Sequence, residues 1–232
     1  MNFSNGDSSP PLDNEENEGE MLMLSPIAFL KLQFFLHVAD SEVGGFGISR
    51  SKNLLYVDDF LPVRQLSSPV GVSIEPGAVA EHLAEMNAIG LEPDECARVW
   101  IQTRVGSWAG PCNGTERTFA QACAGCDWSV LLILSRTGRT YARLQFMAGP
   151  KMRKILQLRV GWAAWSQMLV DPRAATGNPQ EDWMNQYLKK VRVESGAEIS
   201  VGSGESELAQ SAKLCARRLL PILVPIVPTA VD

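Results

Sequence analysis

Two apolar runs, Trp128–Ser135 and Thr140–Met147, flank a Thr137-Gly138 turn, and they constrain this chain more than any other feature. Runs of this length bounded by turn residues read as the paired strands of a β-hairpin. A hairpin so rich in Val, Leu and Ile needs cover, and helices with an apolar stripe stand upstream to supply it. Ser25-Pro26 offers an N-cap followed by proline at the first helical position. Apolar residues then recur at helical spacing (Ile27, Leu30, Phe34, Val38), which predicts a first helix from Ile27 to Ala39. Met21–Leu24 before it reads as a short edge strand.

The same reasoning orders the rest of the chain. Glu42–Ser49 is glycine-rich and predicts a strand whose packing demands small residues. Asn53–Leu61 is its expected hairpin partner across an Arg50–Lys52 turn. Residues 62–74 read as a loop closing on the short extended piece Gly71–Ile74. Glu75-Pro76 opens a second helix to about Ile89, stopped by Gly90. Ala97–Thr103 is strand-like and Thr115–Cys123 a short helix. Ile155–Val170 predicts one or two strands divided at Gly161. Asn178–Val191 is a helix with acids in its first turn and lysines in its last, matching the helix dipole. No internal repeat is present.

This ordering divides the chain into an acidic, disordered tail (1–20), a core domain (21–148), a C-terminal extension of strands and a short helix (149–193), a Gly/Ser/Glu-rich linker (194–205) and a final segment (206–232). That segment holds an amphipathic helix and the apolar stretch Leu219–Pro228. The stretch is too short for a bilayer, which needs about 20 residues, and prolines 221, 225 and 228 interrupt it. Docking on its own domain or on a partner are the two roles open to it.

Composition excludes several function classes. A net charge of −5, with only Lys151, Arg153 and Lys154 clustered, argues against a nucleic-acid surface. Five cysteines without framework spacing fit a reducing compartment. The opening residues carry no Lys or Arg before Lys31, the reverse of a secretory leader, so a soluble cytoplasmic protein without membrane attachment is expected.

The chemistry-bearing stretch is Trp100-Ile-Gln102-Thr-Arg104, seven residues, then Cys112-Asn-Gly-Thr115, with Glu42-Val-Gly-Gly-Phe-Gly-Ile48 upstream. This frame resembles that of the JAB/MPN (JAMM) family of zinc-dependent isopeptidases, whose motif is Glu, then His-x-His, seven residues, Ser, two residues, Asp. Further likenesses are Gly71-Val-Ser-Ile-Glu75 before the second helix, Pro111 before Cys112, Thr118-Phe119, and the hairpin Val130–Leu144, which resembles that of bacterial members. The resemblance spans residues 21–148. It implies an α/β, cytidine-deaminase-like fold, a mixed curved sheet flanked by helices.

In active relatives two His and one Asp hold zinc, and the glutamate activates the zinc-bound water. Here Glu42 stands at the base position, Cys112 at the serine, and Gln102, Arg104 and Thr115 at the ligands. Arg and Thr are not credible zinc ligands, and a glutamine amide is a poor one. A one-residue slip would bring Glu116 to the aspartate position, but it restores neither imidazole. The resemblance therefore implies a pseudo-isopeptidase without zinc or other cofactor, acting as an interaction or scaffold module. Its expected partner is a protein, either an active JAB/MPN paralogue or a ubiquitin-like protein. The competing expectation is a metallo-isopeptidase with altered ligands. A regulatory or defence component of a bacterial conjugation system is a third, on which the residues are silent.

Arg104 is expected to enter the pocket and pair with Glu42 or Glu116, replacing the metal's charge; an outward-pointing arginine is the alternative. Trp108, in the motif loop, is a candidate binding anchor or a cover for the emptied pocket. Cys123-Ala-Gly-Cys126 is a weak metal or redox signal, with Cys96 and Cys112 as conceivable partners, and helix-end packing is the simpler role, as for Cys215. His37 and His82 fall on the two predicted helices away from the motif and read as helix-surface or interface residues.

Overall fold

The structure is a computed structural model that describes residues 20–50, 52–146, 152–161 and 179–194. It is a mixed α/β protein with several open mixed sheets and, among the described residues, five helices. Strand β1 is Met21–Leu24 and helix α1 Pro26–Val38. Then come β2 (Gly44–Ile48), β3 (Tyr56–Val57), β4 (Asp59–Pro62), β5 (Gln65–Ser68) and β6 (Gly71–Ile74). Helices α2 (Ala78–Ala88) and α3 (Pro93–Cys96) precede β7 (Val99–Arg104), α4 (Asn113–Ala122), β8 (Trp128–Ser135) and β9 (Thr140–Phe146). Strands β10 (Arg153–Ile155) and β11 (Gln157–Val160), helix α5 (Pro179–Lys190) and β12 (Val191–Val193) complete the set.

The central sheet has the order β10-β9-β8-β7-β2-β4, with β7 and β8 parallel and the other neighbours antiparallel. Its middle strands are buried on both faces, which is why they read as continuous apolar runs rather than alternating ones. The strand period of two splits them between two cores. Val99, Ile101, Val130, Leu132 and Leu134 pack with Leu32, Phe35 and the rest of α1. Trp100, Leu131 and Ile133 face the other way, onto Phe46, Ala78, Met86 and Phe119 from β2, α2 and α4. Each fully buried Leu or Ile contributes roughly 1.5–3 kcal/mol.

Helix α1 starts where the sequence places it: the Ser25 hydroxyl accepts from the Ala28 backbone N–H at 3.0 Å, and Pro26 opens the first turn. Helix α2 begins slightly later than expected, after Gly77 at φ +79°, and ends before Gly90 at φ +83°. The glycines of β2 answer to close packing. A Cβ on Gly44 would stand 2.5 Å from the Trp100 ring, and one on Gly45 only 2.2 Å from the Leu61 carbonyl oxygen.

Two expectations are corrected. The segment after β2 does not form one hairpin strand: β4 pairs with β2, while β3 leaves to join β1 in parallel. Residues 62–74 are not a loop but the hairpin β5–β6. It was hidden because its inward positions, Gln65 and Ser67, are polar yet fully buried. Gln65 meets its hydrogen bonds by clipping the backbone at the start of β2. Its Oε1 accepts from Gly44 N at 2.8 Å, and its Nε2 donates to Gly44 O and Val63 O at 2.8 and 2.9 Å.

The extension is woven into these sheets. Strand β10 lies on β9, β11 runs parallel to β1, and β12 runs parallel to β5. Trp183 and Tyr187 of α5 pack against Phe34 and Phe35 of α1. Residues 1–19 of the expected disordered tail, the strand beyond Gly161, residues 195–205 of the expected linker, the last helix with Cys215 and the apolar stretch 219–228 lie outside the described residues; Glu20 and Glu194, at the inner ends of tail and linker, are held by backbone bonds to Gln157 and Ser67. No helix of the described residues is long and apolar enough to cross a membrane.

Candidate functional site

Strand pairing brings the spaced motif residues together. Gly44 of β2 stands opposite Gln102 of β7, so Glu42, just ahead of β2, reaches the C-terminal end of β7. Val43 N donates to the Thr103 hydroxyl at 2.9 Å, and Glu42 N donates to the Ser68 carbonyl at 3.0 Å, which fix the approach. Gln102 and Arg104 are two residues apart and share the face of β7 that carries Trp100. The loop after β7 then returns the chain to Cys112, the N-cap residue of α4, and to Thr115 in its first turn.

Arg104 is the centre of the cluster. Its Nε donates to Glu42 Oε1 at 2.9 Å, Nη1 to the Gly110 carbonyl at 2.6 Å, and Nη2 to the Thr115 hydroxyl at 2.7 Å. Nη2 also lies 3.9 Å from Cys112 Sγ. Gln102 Nε2 donates to the other oxygen of Glu42 at 2.5 Å. Both Glu42 oxygens are thus held, and Glu42, Gln102, Arg104 and Thr115 are all buried. The expected Arg104–Glu42 pair is present, and the outward-pointing alternative does not occur.

Burial pushes the Glu42 carboxyl above its ordinary range; the charge of Arg104 and the Gln102 and Arg104 hydrogen bonds pull against that without cancelling it. Cys112 is exposed. Its partial burial would raise the thiol, but hydrogen bonds from the Thr115 side chain and from the backbone at Thr115 and Gly114, with the Arg104 charge, outweigh this and lower it. Thr115 Oγ1 lies 3.2 Å from its sulfur.

Glu116 does not join this cluster. Its carboxylate takes a two-pronged ion pair from Arg143 of β9, at 2.6 and 2.8 Å. The carboxylate that a one-residue slip would bring to the aspartate position is thus bonded to Arg143. Trp108 is 65% exposed, yet its ring lies across Gly110, where an added Cβ would fall 2.4 Å from it. The tryptophan covers the loop whose carbonyl holds Arg104 and still offers its outer face.

The remaining candidates sit elsewhere. His37 is exposed on the last turn of α1. His82 is not a helix-surface residue: it is buried, its Nε2 lies 2.9 Å from the Cys96 carbonyl, and its ring stacks on Phe46 at 4.6 Å. Burial lowers its pKa, the mark of a neutral core histidine. Cys96 and Cys123 are buried; burial pushes the Cys96 thiol up to about 11 and the Cys123 thiol up as well. Cys126 Sγ lies 3.7 Å from the Ala97 carbonyl. Helix-end packing accounts for all three.

Zinc does not fit the motif positions. A guanidinium has no lone pair to give, and that of Arg104 is aimed at Glu42, Gly110 and Thr115. Among the described residues no group of three or more His, Cys, Asp or Glu is placed to hold a metal ion. Gln65, which anchors the start of β2 beside Glu42, was missed by reasoning from the sequence. Its only sequence signal is a glutamine six residues before Gly71 in a stretch otherwise typical of a turn. No protein-family model matches the chain, and no curated protein matches it significantly.

Proposed function

We propose that this chain is a JAB/MPN-like pseudo-isopeptidase, a non-catalytic module whose role is to bind another protein. One observation carries the reading: the residue at the second histidine position is an arginine whose guanidinium is held by Glu42, Gly110 and Thr115. A positive charge seated there binds the glutamate that an active relative would use as a base. Each Glu42 oxygen already accepts a hydrogen bond, one from Gln102 and one from Arg104, so the carboxylate is committed to holding the cluster together. The cluster therefore serves to hold the β7 end, the motif loop and α4 in one arrangement, and the exposed Trp108 gives that arrangement an aromatic contact point. By the resemblance, the partner is an active JAB/MPN paralogue or a ubiquitin-like protein.

The test is metal analysis of protein purified without added metal, beside the triple variant Gln102→His, Arg104→His, Thr115→Asp. The expected outcome is no stoichiometric zinc in the natural chain and zinc uptake by the variant. Stoichiometric zinc in the natural chain would overturn the pseudoenzyme reading, and a folded triple variant that takes up no zinc would remove the resemblance on which it rests.

A further inference from the structure

We infer that the free edge of β10 is a docking surface for the chain's own acidic segment, with residues 15–19 continuing β1 backwards along it as a parallel strand. This goes beyond the proposed binding role and does not depend on it.

The pairing of β10 leaves one edge open. Phe146 N donates to the Met152 carbonyl at 3.0 Å, and Leu156 N donates to the Ala142 carbonyl at 3.0 Å. Bonded positions alternate with unbonded ones in an antiparallel pair, so Met152, Lys154 and Leu156 turn their main-chain groups toward β9. Arg153 and Ile155 turn theirs the other way. Among the described residues no strand stands on that side of β10, which ends the central sheet. All three residues of β10 are exposed, and Ile155 is 62% exposed. An unpaired edge of this kind is a template for an added strand.

The chain that follows shows what lies along that side. Gln157 has the same parity as Arg153 and Ile155, and its N–H donates to the Glu20 carbonyl at 3.3 Å. From there β1 runs parallel to β11, with Met21 opposite Gln157. The start of β1 therefore lies on the side to which Arg153 and Ile155 point. Carried back in the same register, Gly19 stands opposite Ile155, Glu18 opposite Lys154 and Asn17 opposite Arg153. Parallel bonding then gives Ile155 N the Glu18 carbonyl and Arg153 N the Glu16 carbonyl, while Glu18 N donates to the Arg153 carbonyl.

Charge selects the same occupant. Asp13, Glu15, Glu16, Glu18 and Glu20 stand in this stretch without a Lys or Arg, and β10 presents Arg153 and Lys154. The first contact is already made: Lys154 Nζ lies 2.9 Å from Glu20 Oε1, with both side chains about half exposed. Strand alternation puts Glu18 and Glu16 on the face of Glu20, beside Lys154. Exposed ion pairs contribute little singly, so the main chain sets the register and the acids set which segment takes it. An edge filled in this way is closed to a second copy of the chain.

The test is amide exchange of the full chain, followed by NMR at Arg153 and Ile155. Both amides should exchange at least about tenfold more slowly than their intrinsic rates. Glu18→Pro removes a donor facing β10 and should abolish the slowing. Asn17→Pro, whose N–H would point away from β10, should leave it in place. Raising salt from about 0.05 to about 0.5 M should weaken the protection severalfold, because the charges are exposed. Intrinsic exchange rates in the wild-type chain would overturn the assignment, and that result requires no variant to fold. Equal losses from the two prolines, or protection indifferent to salt, would also overturn it. So would protection that vanishes on dilution, which would put a second copy of the chain on the edge.

Discussion

Arg104 Nε and Glu42 Oε1 lie 2.9 Å apart, with their side chains 8% and 2% exposed. The two residues come from opposite sides of the β2–β7 pairing, so the bond also ties the chain before β2 to the loop after β7. A buried pair of this kind gives little net stability over a well-packed apolar pair, but removing one partner strands a charge. Arg104→Ala and Glu42→Ala should each destabilise the fold by about 3–5 kcal/mol. The double variant Glu42→Ala, Arg104→Ala should cost far less than the sum. Urea unfolding of all three decides this; purely additive losses would mean that the pair is not coupled.

Gln65 carries the adjoining strand end. Its side chain makes three hydrogen bonds to the backbone of Gly44 and Val63. Gln65→Leu fills the same space and removes all three bonds, leaving the Gly44 carbonyl only its 3.4 Å bond from Val63 N, for an expected loss of about 1–3 kcal/mol. Because Glu42 lies two residues ahead of Gly44, the variant should also increase amide exchange at Val43 and Gly44. Unchanged exchange there would show that the β5–β6 hairpin does not set the position of Glu42.

Glu116 supplies a pH dependence of known sign. The Arg143 hydrogen bonds, against a smaller effect of burial, hold its carboxyl below the ordinary range. A folded carboxyl that is more acidic than its unfolded counterpart stabilises the fold above the unfolded pKa, and that contribution is lost as pH falls through the folded value. Wild type should therefore exceed Glu116→Gln in melting temperature at pH 7, and the gap should close on acidification below about pH 4. A gap that stays constant would mean that the pairing contributes nothing.

The tryptophans separate packing from display. Trp100 is fully buried between β2 and the second core, whereas Trp108 shows most of its surface. Trp100→Ala should cost about 3–5 kcal/mol, and Trp108→Ala less than about 1 kcal/mol. Chemical denaturation of the two variants tests the contrast. A large loss from Trp108→Ala would assign that residue to the support of the motif loop rather than to contact with a partner.

The sequence exposed the elements whose chemistry is redundant. Ser25-Pro26, the runs of β7 and β8, Gly90 and the Thr137-Gly138 turn each combine a local preference with a burial pattern, and each appears where expected. What escaped was set by long-range satisfaction of polar groups. A buried Gln65 and Ser67 look like turn residues until the backbone they bind is in place. His82 looks like a surface residue until Phe46 and the Cys96 carbonyl are seen to enclose it. In the site, motif spacing was enough to bring Glu42, Gln102, Arg104, Cys112 and Thr115 together, since one strand pair and one helix start control all five. The partner of Glu116 was not legible, because Arg143 arrives from β9, 27 residues away.

Alternation along β7 separates two kinds of freedom. Odd-numbered positions from Val99 to Thr103 face α1 and the chain before β2, while Trp100, Gln102 and Arg104 look toward α4. Reactive equipment on the α4 side can therefore be exchanged in pairs of residues while the opposite hydrophobic interface stays untouched. A lineage can lose, alter or regain chemistry at this strand end without having to reinvent the architecture that presents it.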